Sequence, residues 1–270
     1  MRNQRTAVAH AIDQALVTAG LVCVVAGASL VAAANIPGMR LGHLAHELGH
    51  AATGAVAGYD VAGVTLDPRG FAATFASSDV LAGQGLRGIG LGTMVLSAGI
   101  LSEAALAAGL LVAVRKMRTG RGILLGIAAV LVVTAFFWVP DDAHLPVDGS
   151  VSADAGTFTL EYALLFSLAL VLAAVPGGAV SRAAAYTLAA MTLAGLASSL
   201  RELWFPSQPR TDARLAASLT SIPIDVWRIG WTIAAVLLVT RPLLSLMRSP
   251  NGWPLQRVLP VHQPLHLARH

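Results

Sequence analysis

Six stretches of this sequence are apolar for long enough to cross a bilayer, and no other feature limits its possible folds so severely. They lie at about 14–34, 89–114, 122–139, 159–176, 183–200 and 222–247. A helix needs about 20 residues to cross the hydrocarbon core. A seventh stretch, about 39–58, is helical in character but carries three histidines and a glutamate. Composition points the same way. Hydrophobic residues make up 56% of the 270 residues and charged residues only 12%, with a mean hydropathy of +0.69. A soluble domain carries about 25% charged residues, so this chain cannot clothe a water-exposed surface. The expected fold class is an all-α polytopic membrane protein with about six or seven transmembrane helices. Residues 1–248 are expected to form one multi-span domain, followed by a basic tail at 249–270.

The remaining composition excludes other classes. Cys23 is the sole cysteine, so no intrachain disulfide can form. A net charge of +4 and a pI near 10.0 would suit nucleic acid in a soluble protein. In a membrane protein, basic residues mark cytoplasmic loops instead, and no nucleic-acid partner is expected. Arg115, Lys116, Arg118 and Arg121 share one loop, Arg182 lies in another, and Arg241, Arg248, Arg257 and Arg269 cluster toward the C-terminus. Asp141, Asp142, Asp148 and Asp154 occupy a loop without Lys or Arg. The basic loops and the C-terminus therefore belong in the cytoplasm, with the chain in a bacterial plasma membrane. The first run follows Arg2 and Arg5, is interrupted at its start by Asp13 and Gln14, and lacks a cleavage signal. It reads as a retained helix. The side of the N-terminus depends on whether the 39–58 helix spans the membrane or re-enters it.

Between 59 and 78 the pattern changes. Val61 to Leu66 is short and β-like, Asp67-Pro68-Arg69-Gly70 signals a turn, and Phe71 to Phe75 forms a second short strand. These predict a β-hairpin directly after the 39–58 helix.

That helix carries His46-Glu47-Leu48-Gly49-His50, an H-E-x-x-H match. Residues four apart share one helix face, so His46 and His50 can offer nitrogens to one zinc ion. Glu47 then stands where a carboxylate can take a proton from water at that ion. With eight histidines and four glutamates, chance placement yields the pattern roughly 0.003 times in such a chain. The bland alternative is a histidine pair in a polar seam between helices, but Glu and His within a membrane are costly and functional by default. His43 falls in the same arc of about 100° and reads as a hydrogen-bonded interfacial histidine, as a partner to the metal ligands or as a metal-transfer site.

A catalytic zinc needs a third protein ligand. Asp148, in Leu145-Pro146-Val147-Asp148-Gly149, and Asp212, in Arg210-Thr211-Asp212-Ala213, are the main candidates. Asp141, Asp142, His144 and Glu103 are weaker ones. Thr211-Asp212 also precedes a helical stretch and suits a simple N-cap.

From Ala45 through Ala51, with Thr53-Gly54 and the strand–turn–strand after it, the chain resembles the site-2 protease group of intramembrane zinc metallopeptidases. Within that group it is similar to the small bacterial M50B-like branch, over about residues 37–240. Leu96-Ser97-Ala98-Gly99 is similar to the family's small-residue segment on the next helix, with Ile100 where an aromatic or proline is usual. Arg210 to Ala213, Leu219 to Pro223 and Trp227 resemble the branch's "SDA…LTGLP…W" segment. The resemblance implies Asp212 as third ligand, whereas Asp148 resembles the "LDG" aspartate of better-known members. It implies zinc as cofactor and a substrate that is the transmembrane helix of another membrane protein. That helix must unwind to be cut, and its unwound part would pair with the hairpin. The chain shows no soluble regulatory domain, so a regulatory membrane partner or the bilayer itself would restrict access. A second reading makes the chain a non-proteolytic, metal-binding accessory or scaffold subunit of a membrane complex. A third is metal or haem handling by His43, His46 and His50.

Overall fold

The computed structural model describes residues 37–68, 72–76, 85–116, 120–142, 145, 152–206 and 211–247. The expected first span, 14–34, and the tail at 249–270 lie outside them. In chain order the elements are α1 (Pro37–Val56), β1 (Val61–Leu66), β2 (Ala72–Ala76), α2 (Gly85–Lys116), α3 (Arg121–Phe137), α4 (Ala155–Ala174), α5 (Gly178–Trp204), α6 (Asp212–Thr220) and α7 (Ile224–Met247). This is the polytopic helical architecture expected from the apolar runs, with the hairpin after the histidine-bearing helix.

Among the described residues four helices are long and apolar enough to cross a membrane: Gly85–Val114, Ala155–Ala174, Val180–Trp204 and Ile224–Leu246. The Arg121–Phe137 helix is apolar but shorter. Its 17 residues extend about 26 Å at 1.5 Å per residue, close to the hydrocarbon thickness of about 30 Å. The run expected at 222–247 starts at Ile224, just past Pro223. α7 carries Pro242 in its interior, a residue that transmembrane helices tolerate better than soluble ones. The face formed by Ile229, Ile233, Val236 and Leu237 is exposed, as suits a helix whose surroundings are lipid tails.

The helix α2 is the hub. It packs against α1, α5, α6 and α7, while α3 and α4 form a neighbouring pair. One apolar core, including Leu44, Val64, Ile100, Ala104, Leu124, Ala163, Ala185 and Ala235, runs through all of these. The helices also lock together through side-chain hydrogen bonds. The Ser102 hydroxyl of α2 reaches the Ala45 carbonyl of α1 at 2.7 Å, and Trp231 of α7 donates its indole N–H to Ser97 at 3.1 Å.

The hairpin is antiparallel, with Val64 opposite Thr74 and Leu66 opposite Ala72. Val64 and Leu66 are buried. Its turn is clamped from two sides. Arg40 of α1 donates to the carbonyls of Asp67 (3.3 Å) and Pro68 (3.1 Å), with its guanidinium 4.5 Å over the Phe158 ring of α4. Asp67 itself accepts from the Ser152 backbone N–H and hydroxyl. The strands are thereby fixed against both α1 and α4.

Candidate metal centre

Helical spacing in α1 puts His46 and His50 one turn apart, with ring centroids 4.8 Å from each other and planes at 78°. The ring nitrogens of both histidines and a Glu47 carboxylate oxygen lie within 4.8 Å of one another. Asp212, more than 160 residues away in sequence, meets them. Its Oδ2 lies 3.0 Å from His46 Nε2 and 3.2 Å from His50 Nε2. The local reason is a capping arrangement. Thr211, not Asp212, is the N-cap of α6, its hydroxyl accepting the backbone N–H of Arg214 at 3.4 Å. That leaves the Asp212 carboxylate, on the first helical residue, free to face α1. Ala213 and Ala216 are fully buried and let the short helix approach α2.

The donor set fits a zinc ion. Two atoms about 2.0–2.1 Å from one tetrahedral ion are separated by roughly 3.3 Å, close to the two nitrogen–oxygen distances. The tautomer suits as well. His50 Nδ1 lies 2.7 Å from the Val95 carbonyl of α2, which accepts its proton and leaves Nε2 available to a metal. The space fits too. A Cβ on Gly99 of α2 would stand 2.4 Å from His46 Nε2 and 2.5 Å from His50 Nε2, so only glycine leaves that volume open.

Glu47 is held from the hairpin. Thr74 Oγ1 lies 2.7 Å from Glu47 Oε2 and 2.9 Å from the Glu47 carbonyl. The carboxylate is thereby oriented by β2. Glu47 and His50 are buried, while His46 and Asp212 are partly accessible.

Asp142 is engaged at the N-terminus of α4, accepting from the Thr157 hydroxyl and from its backbone N–H at 3.1 Å. These bonds, the hydroxyl's first, hold its carboxyl below the usual range. Asp148 and His144 lie outside the described residues, so Asp212 alone of the two main candidates can be seen against the histidines. His43 is half-buried and is not among the residues whose ligand atoms converge. Glu103 is fully buried beside His46, its Oε2 3.8 Å from Nδ1, the ring nitrogen turned away from Asp212. Sequence reasoning missed Thr74 and the Val95 carbonyl. Thr74 carried a weak signal, as the lone hydroxyl in an apolar strand, whereas a backbone carbonyl carries none.

Comparison with curated proteins and with solved structures returns no match. The family model described as Peptidase M50B-like matches residues 15–241, a range that takes in the whole histidine helix, the hairpin, Gly99 and Asp212. With an H-E-x-x-H helix, a hairpin behind it and an aspartate meeting both histidines, in a bundle built of apolar helices, the chain belongs to the Peptidase M50B-like family of site-2 protease-like membrane proteins.

Proposed function

We propose that the protein is an intramembrane zinc metalloprotease that cleaves a transmembrane segment of a partner membrane protein. The observation that carries this reading is the convergence of His46 Nε2, His50 Nε2 and Asp212 Oδ2 beside the Glu47 carboxylate. His46, His50 and Asp212 would hold the ion, and Glu47 serves as general base and then as proton donor to the leaving amine. Zinc, when bound, supplies an electrophile that acidifies water and polarises the scissile carbonyl.

The chain's own residues supply the rest. Thr74 aims Glu47, the His50–Val95 bond fixes one ring, and the Arg40 clamp fixes the hairpin. Among the described residues no further strand pairs with this two-stranded sheet. An unwound substrate segment can therefore add at its edge through main-chain hydrogen bonds. A folded helix offers no free main-chain groups for this, so the preferred substrate is a transmembrane helix with a weak, easily unwound stretch. The basic loop at 115–121 and the C-terminal arginines favour a cytoplasmic C-terminus in a bacterial plasma membrane. A reporter fused after Arg269 and active only outside the cell contradicts that orientation.

The test uses purified full chain in lipid vesicles with a transmembrane reporter substrate. About one zinc per chain, loss of zinc in His46→Ala and His50→Ala, and loss of cleavage with zinc retained in Glu47→Gln are the expected results. Zinc bound as before in both histidine variants overturns the metal assignment. Cleavage that persists in Glu47→Gln overturns the role of Glu47. Zinc binding without any cleavage moves the reading to a metal-binding accessory subunit.

A further inference from the structure

Glu103 lies in the middle of α2, is 0% exposed, and neither carboxylate oxygen has a hydrogen-bond partner among the described residues. A buried carboxylate without partners is destabilising, so its presence in a helix whose other residues are mostly apolar or small calls for a compensating role. The carboxyl group is wedged against α1. A Cβ on Gly42 would stand 2.4 Å from Glu103 Oε1, so α1 leaves a notch where the carboxylate sits. Its other oxygen faces His46 Nδ1 at 3.8 Å.

The two histidines differ on their outer sides. His50 Nδ1 has a backbone acceptor, the Val95 carbonyl at 2.7 Å. His46 Nδ1 has the Glu103 carboxylate as its facing oxygen, slightly beyond hydrogen-bond distance. A histidine that ligates a metal almost always donates its other ring N–H to a carboxylate or carbonyl, which fixes its tautomer and orientation. We propose that Glu103 is the positioning residue for His46, accepting the Nδ1–H and presenting Nε2 to the metal. This rests on the zinc reading of the site. Glu103 ligates nothing itself, and α2 would then orient both histidines, one through a main-chain carbonyl and one through a side chain. His43 also interacts electrostatically with Glu103, but it does not belong to the converging set.

The proposal makes metal affinity and fold stability respond in opposite directions. Glu103→Met removes the acceptor and a buried polar group at similar volume. The purified full chain would be compared in detergent by zinc competition with a chelator, by the visible spectrum of the cobalt-substituted protein, and by thermal unfolding without metal. Zinc affinity is expected to fall about tenfold to hundredfold, the cobalt bands to shift, and the metal-free unfolding temperature to hold or rise. Glu103→Gln keeps a carbonyl acceptor and is expected to recover most of the affinity. Zinc affinity of Glu103→Met within threefold of the parent overturns the proposal while leaving the zinc reading intact. Lost affinity together with a lower metal-free unfolding temperature in both variants shows a packing role and also overturns it. A parent chain that binds no zinc overturns the zinc reading, and this proposal with it.

Discussion

Gly99 offers the sharpest perturbation of the site, because replacing it with alanine adds one methyl group and removes no ligand. The added Cβ would stand 2.4 Å from His46 Nε2, 2.5 Å from His50 Nε2 and 2.6 Å from His50 Cε1, about 1 Å inside the 3.4 Å where ordinary contact begins. Something must move by that much. His50 cannot easily yield, since its Nδ1 is tied to the Val95 carbonyl on the same helix as Gly99. Any shift of His46 Nε2 changes its present 3.0 Å approach to Asp212 Oδ2. Metal sites fix ligand distances to about 0.2 Å, so a displacement of this size removes at least one ligand from range. Losing an outer partner already lowers affinity by tenfold to hundredfold. Gly99→Ala is therefore expected to weaken zinc binding by about 100-fold or more, equivalent to about 2.7 kcal/mol. The substitution itself favours the helix by about 1 kcal/mol, so loss of zinc need not come with loss of fold. Chelator competition and circular dichroism on the detergent-solubilised chain read the two effects separately. Zinc affinity within threefold of the parent, with helicity unchanged, refutes the inference that this gap exists for the metal.

Two further substitutions separate roles within the site. Asp212→Ala is expected to reduce zinc content far below that of Asp148→Ala; equal losses in the two, measured by elemental analysis, would remove the distinction drawn between them. Thr74→Val deletes a hydrogen bond to a carboxylate, worth about 1.5–3 kcal/mol. It should lower kcat by roughly tenfold or more with zinc content unchanged, while Thr74→Ser restores it. A cleavage rate unaffected by Thr74→Val shows that the hairpin does not orient Glu47.

What the sequence revealed depended on the range of the interactions involved. The spans within the described residues were legible because bilayer thickness imposes a length on every apolar run, and the histidine helix because a four-residue spacing is a purely local geometry. The hairpin was legible from Asp67-Pro68 and the short β-like runs around it. Helix ends shifted by a few residues, as at Ile224, where Pro223 sets the start. Which carboxylate meets the histidines was not decided by local signals. Asp212 and Asp148 each sit in suggestive tripeptides, and nothing near either one says which returns to α1. Thr74, Glu103 and the Val95 carbonyl act only across helix or strand contacts, so no periodicity could assign them roles.

The dependence of Asp212 on its surroundings shows how such a site is assembled. α6 has nine residues, too few for a helix to persist alone, since isolated helices below about 12–15 residues are marginal. Its position is set from outside. Thr211 caps its start, Ser221 ends it in a left-handed conformation, and the hydroxyl of Thr220 lies 3.3 Å from the Trp227 indole N–H of α7. Ala213 and Ala216 then press it onto the bundle at full burial. Both sides of the site meet on α2, which supplies no ligand yet carries the Val95 carbonyl, the gap at Gly99 and the seat against α6. In a membrane, where apolar attraction between helices is weak, close approach through small residues is the main source of such order. The ligand geometry is therefore a property of how α1 and α6 pack on α2, and small-to-large changes along α2 should disturb metal binding as effectively as changes to the ligands.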